Sequence, residues 1–228
     1  MKLSVIIPVY NEQGTVASII DRVRQCGVPE LDIIVVNDCS SDGTASVLEA
    51  MPPSDDLHII HHETNLGKGS AIRTAQGHVR GEVVVIQDAD LEYDPVEFPR
   101  MLQIIEEDKA DVVYGSRYSG REILVDTFWH YLGNKFLTLF SNLMSNLHLT
   151  DMETCYKMIR ADVFTDMTLQ CARFGIEPEV TAKLAKRDLR IYEVPIAYKA
   201  RRIDEGKKIG WRDGIAALWY ILKYNLFS

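Results

Sequence analysis

The sequence predicts an α/β fold with a mostly parallel central sheet and helices on both faces. Short apolar runs rich in β-branched residues, each bounded by turn residues, recur through the first half of the chain, and helical patterns separate most of them. Strands that alternate with helices in this way form a doubly wound sheet. The predicted strands span residues 3–8, 32–36, 57–60, 82–86 and 111–114.

Four helices are predicted between or after these strands, because their apolar residues recur at helical spacing. They span residues 14–25, 44–51, 69–76 and 95–107. After residue 120 the alternation ends. An aromatic-rich segment, a strand, a helix, a second strand and an amphipathic helix are predicted at residues 126–147, 156–159, 177–187, 190–194 and 211–224.

The length and composition favour one elaborated domain. The chain has 228 residues, 46% of them hydrophobic, with no internal repeat and no obvious linker. Acidic residues outnumber basic ones by 33 to 25, and the net charge of -8 would repel a nucleic-acid backbone. Nucleic acid is therefore excluded as an expected partner.

The four cysteines form no CxxC pair, which argues against a zinc site or a disulfide framework and favours a reducing compartment. The first apolar stretch stops at Pro8, too early for a secretory signal. The late apolar run at residues 215–222 is far shorter than the roughly 20 residues that cross a bilayer. We therefore expect a cytoplasmic protein that can still attach to the cytoplasmic face of a membrane.

Two carboxylates, Asp88 and Asp90, directly follow the predicted strand at residues 82–86, with Ala89 between them. Residues two apart on an extended chain point to the same side. Mg²⁺ and Mn²⁺ prefer oxygen ligands and commonly bridge a few carboxylates to substrate phosphates. Glu92 continues the alternate spacing as a third candidate ligand. A solvated turn or a helix cap is the alternative, but the position after a buried strand favours the metal site.

Two other strand ends carry candidate ligand-binding residues. Asp38 follows the strand at residues 32–36, where a carboxylate can accept hydrogen bonds from a base or a ribose. Lys68 lies in a glycine-rich turn before a helix, which can direct amide donors toward a diphosphate, although a purely structural turn is equally compatible. The Walker A spacing is absent, and no GxGxxG follows the first strand, which disfavours a dinucleotide dehydrogenase.

Read in order, four segments resemble the family 2 glycosyltransferases with the GT-A fold. They are VIIPVYNE at residues 5–12, VNDCSSDGT at 36–44, NLGKG at 65–69 and DAD at 88–90. Within that family the chain is similar to the dolichyl and polyprenyl phosphate sugar transferases, a group that includes dolichol phosphate mannose synthase. The segments that carry this second resemblance are GSR at 115–117, TDMETCYK at 150–157, and VPI at 194–196 followed by Arg201.

The resemblance implies one GT-A domain, in which residues 1–120 bind the nucleotide sugar and residues 121–228 bind the acceptor. It implies metal-dependent transfer of a hexose, from GDP-mannose or a UDP-sugar to a polyprenyl or dolichyl phosphate, with inversion and with Mg²⁺ or Mn²⁺. We expect the nucleotide sugar at Pro8, Tyr10, Glu12, Asp38, Lys68, Asp88, Ala89 and Asp90, the metal at Asp88, Asp90 and Glu92, and the acceptor phosphate at Arg117, Arg201 and Lys208. The residues expected to act in the transfer are Asp90, Arg117, Asp151, Glu153 and Arg201.

The candidate residues are compatible with two classes of acceptor. A lipid phosphate is already an anionic nucleophile near neutral pH and needs no strong general base. A sugar hydroxyl needs a carboxylate within hydrogen-bond reach, for which Asp151 and Glu153 are the candidates. The alternatives are a soluble glycosyltransferase that acts on a saccharide hydroxyl in polysaccharide or glycoconjugate synthesis, or a nucleotide-sugar-binding module without turnover.

Two regions are candidates for contact with a membrane surface. The aromatic-rich segment at residues 126–147 and the tail from residue 209 to 227 can place apolar groups at the headgroup boundary. Between Lys199 and Arg212 there are six basic residues against two acidic ones, which attract anionic lipid. Simple core packing of these helices is the alternative. A second copy of the chain or a membrane protein is also a candidate partner.

Overall fold

The computed structural model describes residues 1–120, 127–173, 175–200 and 211–227, and it confirms the predicted α/β class. Within these ranges seven strands form one sheet in the order β3-β2-β1-β4-β6-β5-β7. The strands are β1 Leu3–Val9, β2 Leu31–Asn37, β3 Leu57–His61, β4 Val83–Ile86, β5 Val112–Ser116, β6 Lys157–Arg160 and β7 Ile191–Pro195.

The sheet is mostly parallel. β1 pairs in parallel with β2 on one side and β4 on the other, β2 pairs in parallel with β3, and β5 pairs in parallel with β7. β6 is antiparallel to both of its neighbours, β4 and β5. The carboxyl ends of β1 to β4 therefore meet at one edge, which is where ligands bind in open α/β sheets.

Helices pack around this sheet. They are α1 Val16–Arg24, α2 Thr44–Glu49, α3 Lys68–Gln76, α4 Phe98–Glu106, α5 Phe128–Ser145, α6 Ala161–Thr165, α7 Ile176–Ala185 and α8 Trp211–Leu226. α4 shows why they form, because its buried residues Phe98, Met101, Leu102 and Ile105 recur at the spacing of one helix face. The central strands are instead buried almost throughout, β4 at every residue and β1 at every residue except Pro8, which explains their continuous apolar sequences.

The predicted elements lie within a few residues of the observed ones, and two differences have a local cause. The predicted helix at residues 95–107 is a 3-10 turn, Pro95–Glu97, followed by α4. Asp94 precedes this turn, and its side chain accepts a hydrogen bond from the backbone N–H of Val96. α6 was not predicted, since a helix of five residues is too short to show a periodic pattern.

The aromatic-rich segment forms α5, which packs against α7 and α8. Part of α5 remains exposed, including Trp129 and Leu143, each 77% exposed. Trp219 of α8 is exposed as well. Among the described residues, none of the helices combines the length and the hydrophobicity that a membrane span requires.

Candidate active site

The loop after β4 presents the paired carboxylates at the ligand-binding edge. Ala89 is buried, whereas Asp88 and Asp90 on either side of it are partly exposed. Leu91 adopts a left-handed conformation with φ 63°, which turns the chain, and the backbone N–H of Glu92 then donates to Asp90 Oδ1 at 3.1 Å. The sequence after the buried strand therefore places both carboxylates in one loop at the ligand-binding edge.

Lys68 joins the loop after β4 to the start of α7. Its ammonium Nζ lies 2.8 Å from Asp88 Oδ1 and 2.8 Å from Glu177 Oε1, and its side chain is 16% exposed. Burial disfavours the charged ammonium, but the two carboxylates outweigh it and raise the pKa of Lys68 well above its usual value. Lys68 therefore stays protonated and places a positive charge between two acidic residues.

Asp38 shapes the glycine-rich turn that carries Lys68. The Asp38 side chain is almost fully buried, and its oxygens accept hydrogen bonds from the backbone N–H groups of Leu66, at 2.9 Å, and Gly67, at 2.7 Å. His62 Nδ1 lies 2.7 Å from Asp38 Oδ1. The end of β2 thus holds the entry to α3 in place.

The glycines of this turn allow a close approach of two backbones. Gly67 has φ +96°, and a Cβ added there would collide with the carbonyl oxygen of Ala172. A Cβ added at Gly69 would collide with the carbonyl oxygen of Cys171. The turn is therefore packed directly on the loop before α7, which brings Lys68 and Glu177 together.

The loops after β1 and β2 are joined at the predicted nucleoside pocket. Asn11 has φ 55°, and its Oδ1 accepts from the backbone N–H of Ser41 at 2.8 Å. The backbone N–H of Glu12 donates to Thr44 Oγ1 at 3.0 Å. Pro8 is partly buried at the end of β1 and Tyr10 is exposed, so this pair lies at the open edge of the sheet.

Arg117 and Asp151 form a buried ion pair at the end of β5. Arg117 Nε donates to Asp151 Oδ2 at 2.7 Å, Nη2 donates to Oδ1 at 2.8 Å, and the backbone N–H of Arg117 donates to Oδ2 at 3.1 Å. Asp151 is 0% exposed, and Glu193 accepts from its backbone N–H at 3.3 Å. The carboxylate of Asp151 is thus committed to Arg117, so it is poorly placed to serve as a general base.

Tyr198 connects this ion pair to the acidic loop. The guanidinium carbon of Arg117 lies 5.1 Å from the centre of the Tyr198 ring. The Tyr198 hydroxyl donates to Glu92 Oε2 at 2.6 Å, and the backbone N–H of Lys199 donates to the carbonyl oxygen of Glu92 at 2.8 Å. Glu92 is therefore held by the segment after β7, and its carboxylate would serve as a metal ligand while one of its two oxygens accepts from Tyr198.

Glu153 and Lys157 lie inside the same acidic and basic cluster. Glu153 Oε1 is buried and has no hydrogen-bond partner among the described residues. Burial and the negative charge of Glu177 raise the pKa of Glu153 to about 7. Lys157 is buried, and the loss of solvation lowers the pKa of its ammonium. Of the two candidate bases, Glu153 is the one with a carboxylate oxygen that has no hydrogen-bond partner among the described residues.

A divalent metal fits the acidic loop chemically. Asp88 and Asp90 offer the hard oxygen ligands that Mg²⁺ and Mn²⁺ prefer, and the ammonium of Lys68 already occupies the position of a cation on Asp88. Within residues 1–120, 127–173, 175–200 and 211–227, no group of three or more His, Cys, Asp or Glu side chains converges on one metal position. Diphosphate oxygens and water would have to complete the coordination.

The structure brings most of the predicted residues to one edge. Arg201 and Lys208 lie outside the described residues. Glu177 and Tyr198 were not predicted from the sequence, although they contact the predicted residues directly. The sequence offered little to identify these two residues. Glu177 is an acidic residue in the first turn of a helix, which is typical of many helix starts. Tyr198 is notable in the sequence only because it lies close to VPI at residues 194–196.

Comparisons with known proteins identify the family of this chain. The family model described as Glycosyl transferase family 2 matches residues 4–168, which is more than half of the chain. The chain is 32% identical over 247 residues to an undecaprenyl-phosphate mannosyltransferase from Micrococcus luteus, and the match covers 99% of both proteins. It is 28% identical over 215 residues to a polyprenol monophosphomannose synthase from Mycolicibacterium smegmatis, covering 90% of this chain and 80% of that protein.

Among solved structures, the chain is similar to glucosyl-3-phosphoglycerate synthase from Mycobacterium tuberculosis in complex with Mn²⁺, uridine diphosphate and phosphoglyceric acid. The TM-score is 0.72 at 19% identity, and the match covers 100% of this chain and 79% of that one. At this identity the likeness concerns the fold, which is the GT-A fold of glycosyltransferases. The chain therefore belongs to glycosyl transferase family 2 and is a glycosyltransferase.

Proposed function

We propose that this enzyme transfers a hexose from a nucleotide sugar, GDP-mannose or a UDP-sugar, to a polyprenyl or dolichyl phosphate. The two relatives above are named for undecaprenyl phosphate and polyprenol substrates, which supports this acceptor class. The reaction depends on Mg²⁺ or Mn²⁺ and inverts the configuration at the anomeric carbon. It takes place at the cytoplasmic face of a membrane.

The observation that carries the proposal is the position of Arg117 beside the acidic loop. Tyr198 contacts the guanidinium of Arg117 with its ring and Glu92 with its hydroxyl. A cation linked through Tyr198 to the loop that carries the carboxylates is suited to an anionic acceptor that must approach the sugar of a metal-bound diphosphate. An uncharged acceptor gains little from such a cation.

On the donor side, Pro8, Tyr10 and Glu12 line the nucleoside pocket, and Asp38 recognises the base. The Asp38 carboxylate has roughly four acceptor positions. Three of them are taken by Leu66, Gly67 and His62, so about one remains for the base. Lys68 and the amides at the start of α3 lie where they can meet the diphosphate.

The leaving group of the reaction is the nucleoside diphosphate. A metal held by Asp88 and Asp90, with Glu92 as a third ligand, would neutralise the charge that develops on this diphosphate. Ala89 supports the two carboxylates from the buried side of the loop. These residues act by holding charge in place, so no proton transfer is needed on the donor side.

On the acceptor side, Arg117 uses two of its five side-chain N–H groups on Asp151. The remaining donors can bind the phosphate of the acceptor, together with Arg201 and Lys208 in our proposal. Asp151 is then a positioning residue that fixes the guanidinium plane. The phosphate oxygen attacks as an anion, so no general base is required.

The exposed face of α5 is proposed to meet the membrane. Phe128, Trp129, Leu139 and Leu143 are all exposed there. Aromatic and aliphatic groups on a surface helix insert into the headgroup boundary, which would bring the acceptor phosphate toward Arg117. A second copy of the chain or a membrane-protein partner is the alternative cover for this face.

The experiment that tests the proposal is an acceptor and donor screen with mass analysis. Purified protein is incubated with Mg²⁺ or Mn²⁺, with GDP-mannose, UDP-glucose or UDP-GlcNAc, and with a polyprenyl phosphate or a panel of sugars. We expect a polyprenyl phosphate hexose whose anomeric configuration is opposite to that of the donor. Transfer to sugars only, or retention of configuration, would contradict the proposal.

One observation favours a second candidate function, transfer to a saccharide hydroxyl. Glu153 has a buried oxygen without a hydrogen-bond partner and a pKa raised to about 7 by burial and by Glu177. A carboxylate of this kind suits a general base near neutral pH. Under this alternative the screen yields glycosylated sugars, and a nucleotide-sugar-binding module would yield donor binding with no product.

A further inference from the structure

The ammonium of Lys68 and the proposed metal use the same carboxylate. Lys68 Nζ lies 2.8 Å from Asp88 Oδ1, a full charge-assisted hydrogen bond. Both partners are largely shielded from water, since the side chains of Lys68 and Asp88 are 16% and 25% exposed. The interaction is therefore only weakly screened by salt.

The backbone of Lys68 has little freedom to move away. Asp38 holds the two residues before it through their N–H groups, and the backbone N–H of Ser70 donates to the carbonyl oxygen of Ala172 at 3.1 Å. Gly67 and Gly69 pack against backbone carbonyl groups on the other side. Only the flexible side chain of Lys68 can change its partners.

The side chain has a second partner at an equal distance. Glu177 Oε1 lies 2.8 Å from Lys68 Nζ and is anchored in the first turn of α7. If Lys68 leaves Asp88, its charge remains neutralised by Glu177. The ammonium can therefore swing away from Asp88 without becoming an unpaired buried charge, which would otherwise be strongly destabilising.

We propose that Lys68 is a built-in cation that competes with the divalent metal for Asp88, so that the metal binds well only when a nucleoside diphosphate draws Lys68 away. This inference rests on the proposed function, because it assumes a metal at Asp88 and Asp90. Mg²⁺ lies about 2.1 Å from its oxygen ligands, so a metal on Asp88 would stand within a few ångström of the ammonium.

Two cations at that separation repel each other, and a diphosphate relieves the repulsion by offering its own anionic oxygens to both. The metal and the donor are therefore expected to bind cooperatively, each raising the affinity for the other by the same factor. Without the donor, Lys68 keeps Asp88 neutralised and lowers its affinity for metal. This arrangement favours loading of the metal together with its nucleotide.

The test measures the affinity of Mn²⁺ for the nucleotide-free protein, by the electron paramagnetic resonance signal of free Mn²⁺. Wild type is compared with Lys68→Met, which removes the charge, and with Lys68→Gln, which keeps a hydrogen-bond donor beside Glu177. We expect both variants to bind Mn²⁺ alone at least about tenfold more tightly than wild type. The gain in Mn²⁺ affinity on adding GDP or UDP should shrink by a similar factor.

The matched control is Lys183→Met. Lys183 also forms a largely buried ion pair on α7, with Glu179, and has no contact with Asp88 among the described residues. This variant should bind Mn²⁺ as wild type does, which separates the competition from a general loss of positive charge. Thermal unfolding of each variant confirms that it is folded at the temperature of the titration.

The outcomes distinguish the inference from the proposed function. If wild type takes up Mn²⁺ only with the nucleotide and the Lys68 variants take it up without, both stand. If wild type binds Mn²⁺ with the nucleotide but the Lys68 variants bind Mn²⁺ alone no more tightly, the competition is overturned while the metal-dependent function survives. If wild type binds no Mn²⁺ even with GDP or UDP, the metal-dependent function itself is contradicted.

Discussion

Arg117 and Asp151 meet in a fork of two parallel hydrogen bonds, 2.7 Å from Nε to Oδ2 and 2.8 Å from Nη2 to Oδ1. The two residues are 34 positions apart in the sequence, and the pair is almost wholly buried. A bidentate pair of this kind fixes the plane of the guanidinium. The direction in which Arg117 presents its other donors is therefore set by Asp151.

Asp151→Asn should consequently weaken acceptor binding more than donor binding. Removing one member of a buried ion pair leaves the other charge uncompensated, so we expect the free energy of unfolding to fall by about 3 kcal/mol. In the folded variant, KM for polyprenyl phosphate should rise about tenfold or more while the Kd for the nucleotide stays within about twofold. Steady-state kinetics and nucleotide titration check this. A normal KM with a lost kcat would instead support Asp151 as the base.

Replacing both Asp88 and Asp90 by Asn should remove metal-dependent turnover. The amide oxygens keep the shape of the loop but lose the charge that holds a divalent cation. Because electrostatic stabilisation of the leaving group typically contributes a factor of about 10²–10³, we expect kcat to fall at least that far. Product formation followed by mass analysis measures it. The control is Asp94→Asn, six residues beyond Asp88, whose side chain accepts from Val96 at the 3-10 turn. Full turnover in the double variant would remove the basis of the proposal.

Glu153 should make the unfolding free energy depend on pH. Its pKa is raised to about 7 by burial and by Glu177, so the folded protein holds a proton that the unfolded chain loses nearer to pH 4.5. Between these pH values the unfolded state binds fewer protons than the folded state. The contribution of Glu153 to the unfolding free energy therefore falls as pH rises from about 4.5 to about 7, and it is constant above pH 7.

The Glu153→Gln variant removes this contribution. Relative to wild type, the variant should therefore gain stability between pH 5 and pH 8. The melting temperature of the variant minus that of wild type should be at least about 2 °C larger at pH 8 than at pH 5. Thermal unfolding at both pH values measures it, with Glu97→Gln as a control at a carboxylate near the surface. If transfer to lipid phosphate needs no base, Glu153→Gln should also keep kcat within about tenfold.

The fold was predictable because its signals are local. Each central strand is a short apolar run ended by turn residues, so Val83–Ile86 and Leu31–Asn37 were anticipated within one residue. The paired carboxylates were predictable for the same reason, since their position after a buried strand is read directly from the sequence. β6 was predicted as a strand, but its antiparallel direction depends on partners across the sheet.

The contacts between the site residues were not predictable, because they join distant segments of the chain. Lys68 and Glu177 are 109 positions apart, and nothing local in either segment indicates the other. Glu92 and Tyr198 are 106 positions apart, and their hydrogen bond depends on where β7 enters the sheet beside β5. Resemblance to a family indicated which residues matter, whereas the partners of those residues required the packed structure.

Membrane attachment is expected to depend on the exposed face of α5. Trp129→Glu together with Leu143→Glu should lower the fraction of protein that floats with anionic liposomes by at least about tenfold, because each change removes a large inserted apolar group and adds a repelled charge. Val96→Glu is the matched control, since Val96 is 63% exposed but lies at the 3-10 turn before α4. Equal flotation of all variants would contradict the proposed membrane face.

Asp38→Asn should disturb the donor site through the glycine-rich turn. An asparagine keeps one carbonyl oxygen, so it can accept from Leu66 or Gly67 but not from both with equal strength, and its amide group would face an N–H donor. Because this turn positions Lys68 beside Asp88, nucleotide affinity should fall about tenfold even where the base makes no direct contact. Isothermal titration with GDP and UDP measures it.

The two bases separate direct recognition by Asp38 from its effect on the turn. If Asp38 acts only by holding the turn, GDP and UDP should lose affinity by the same factor, since the diphosphate is common to both. If it also accepts a hydrogen bond from the base, the preferred nucleotide should lose more, by a further factor of about 3–10, because an unpaired polar group in a binding site costs about 1 kcal/mol or more. Thr44→Ser serves as the control, since it keeps the hydroxyl that accepts from Glu12. An unchanged affinity for both nucleotides would show that neither the turn nor Asp38 contributes to donor binding.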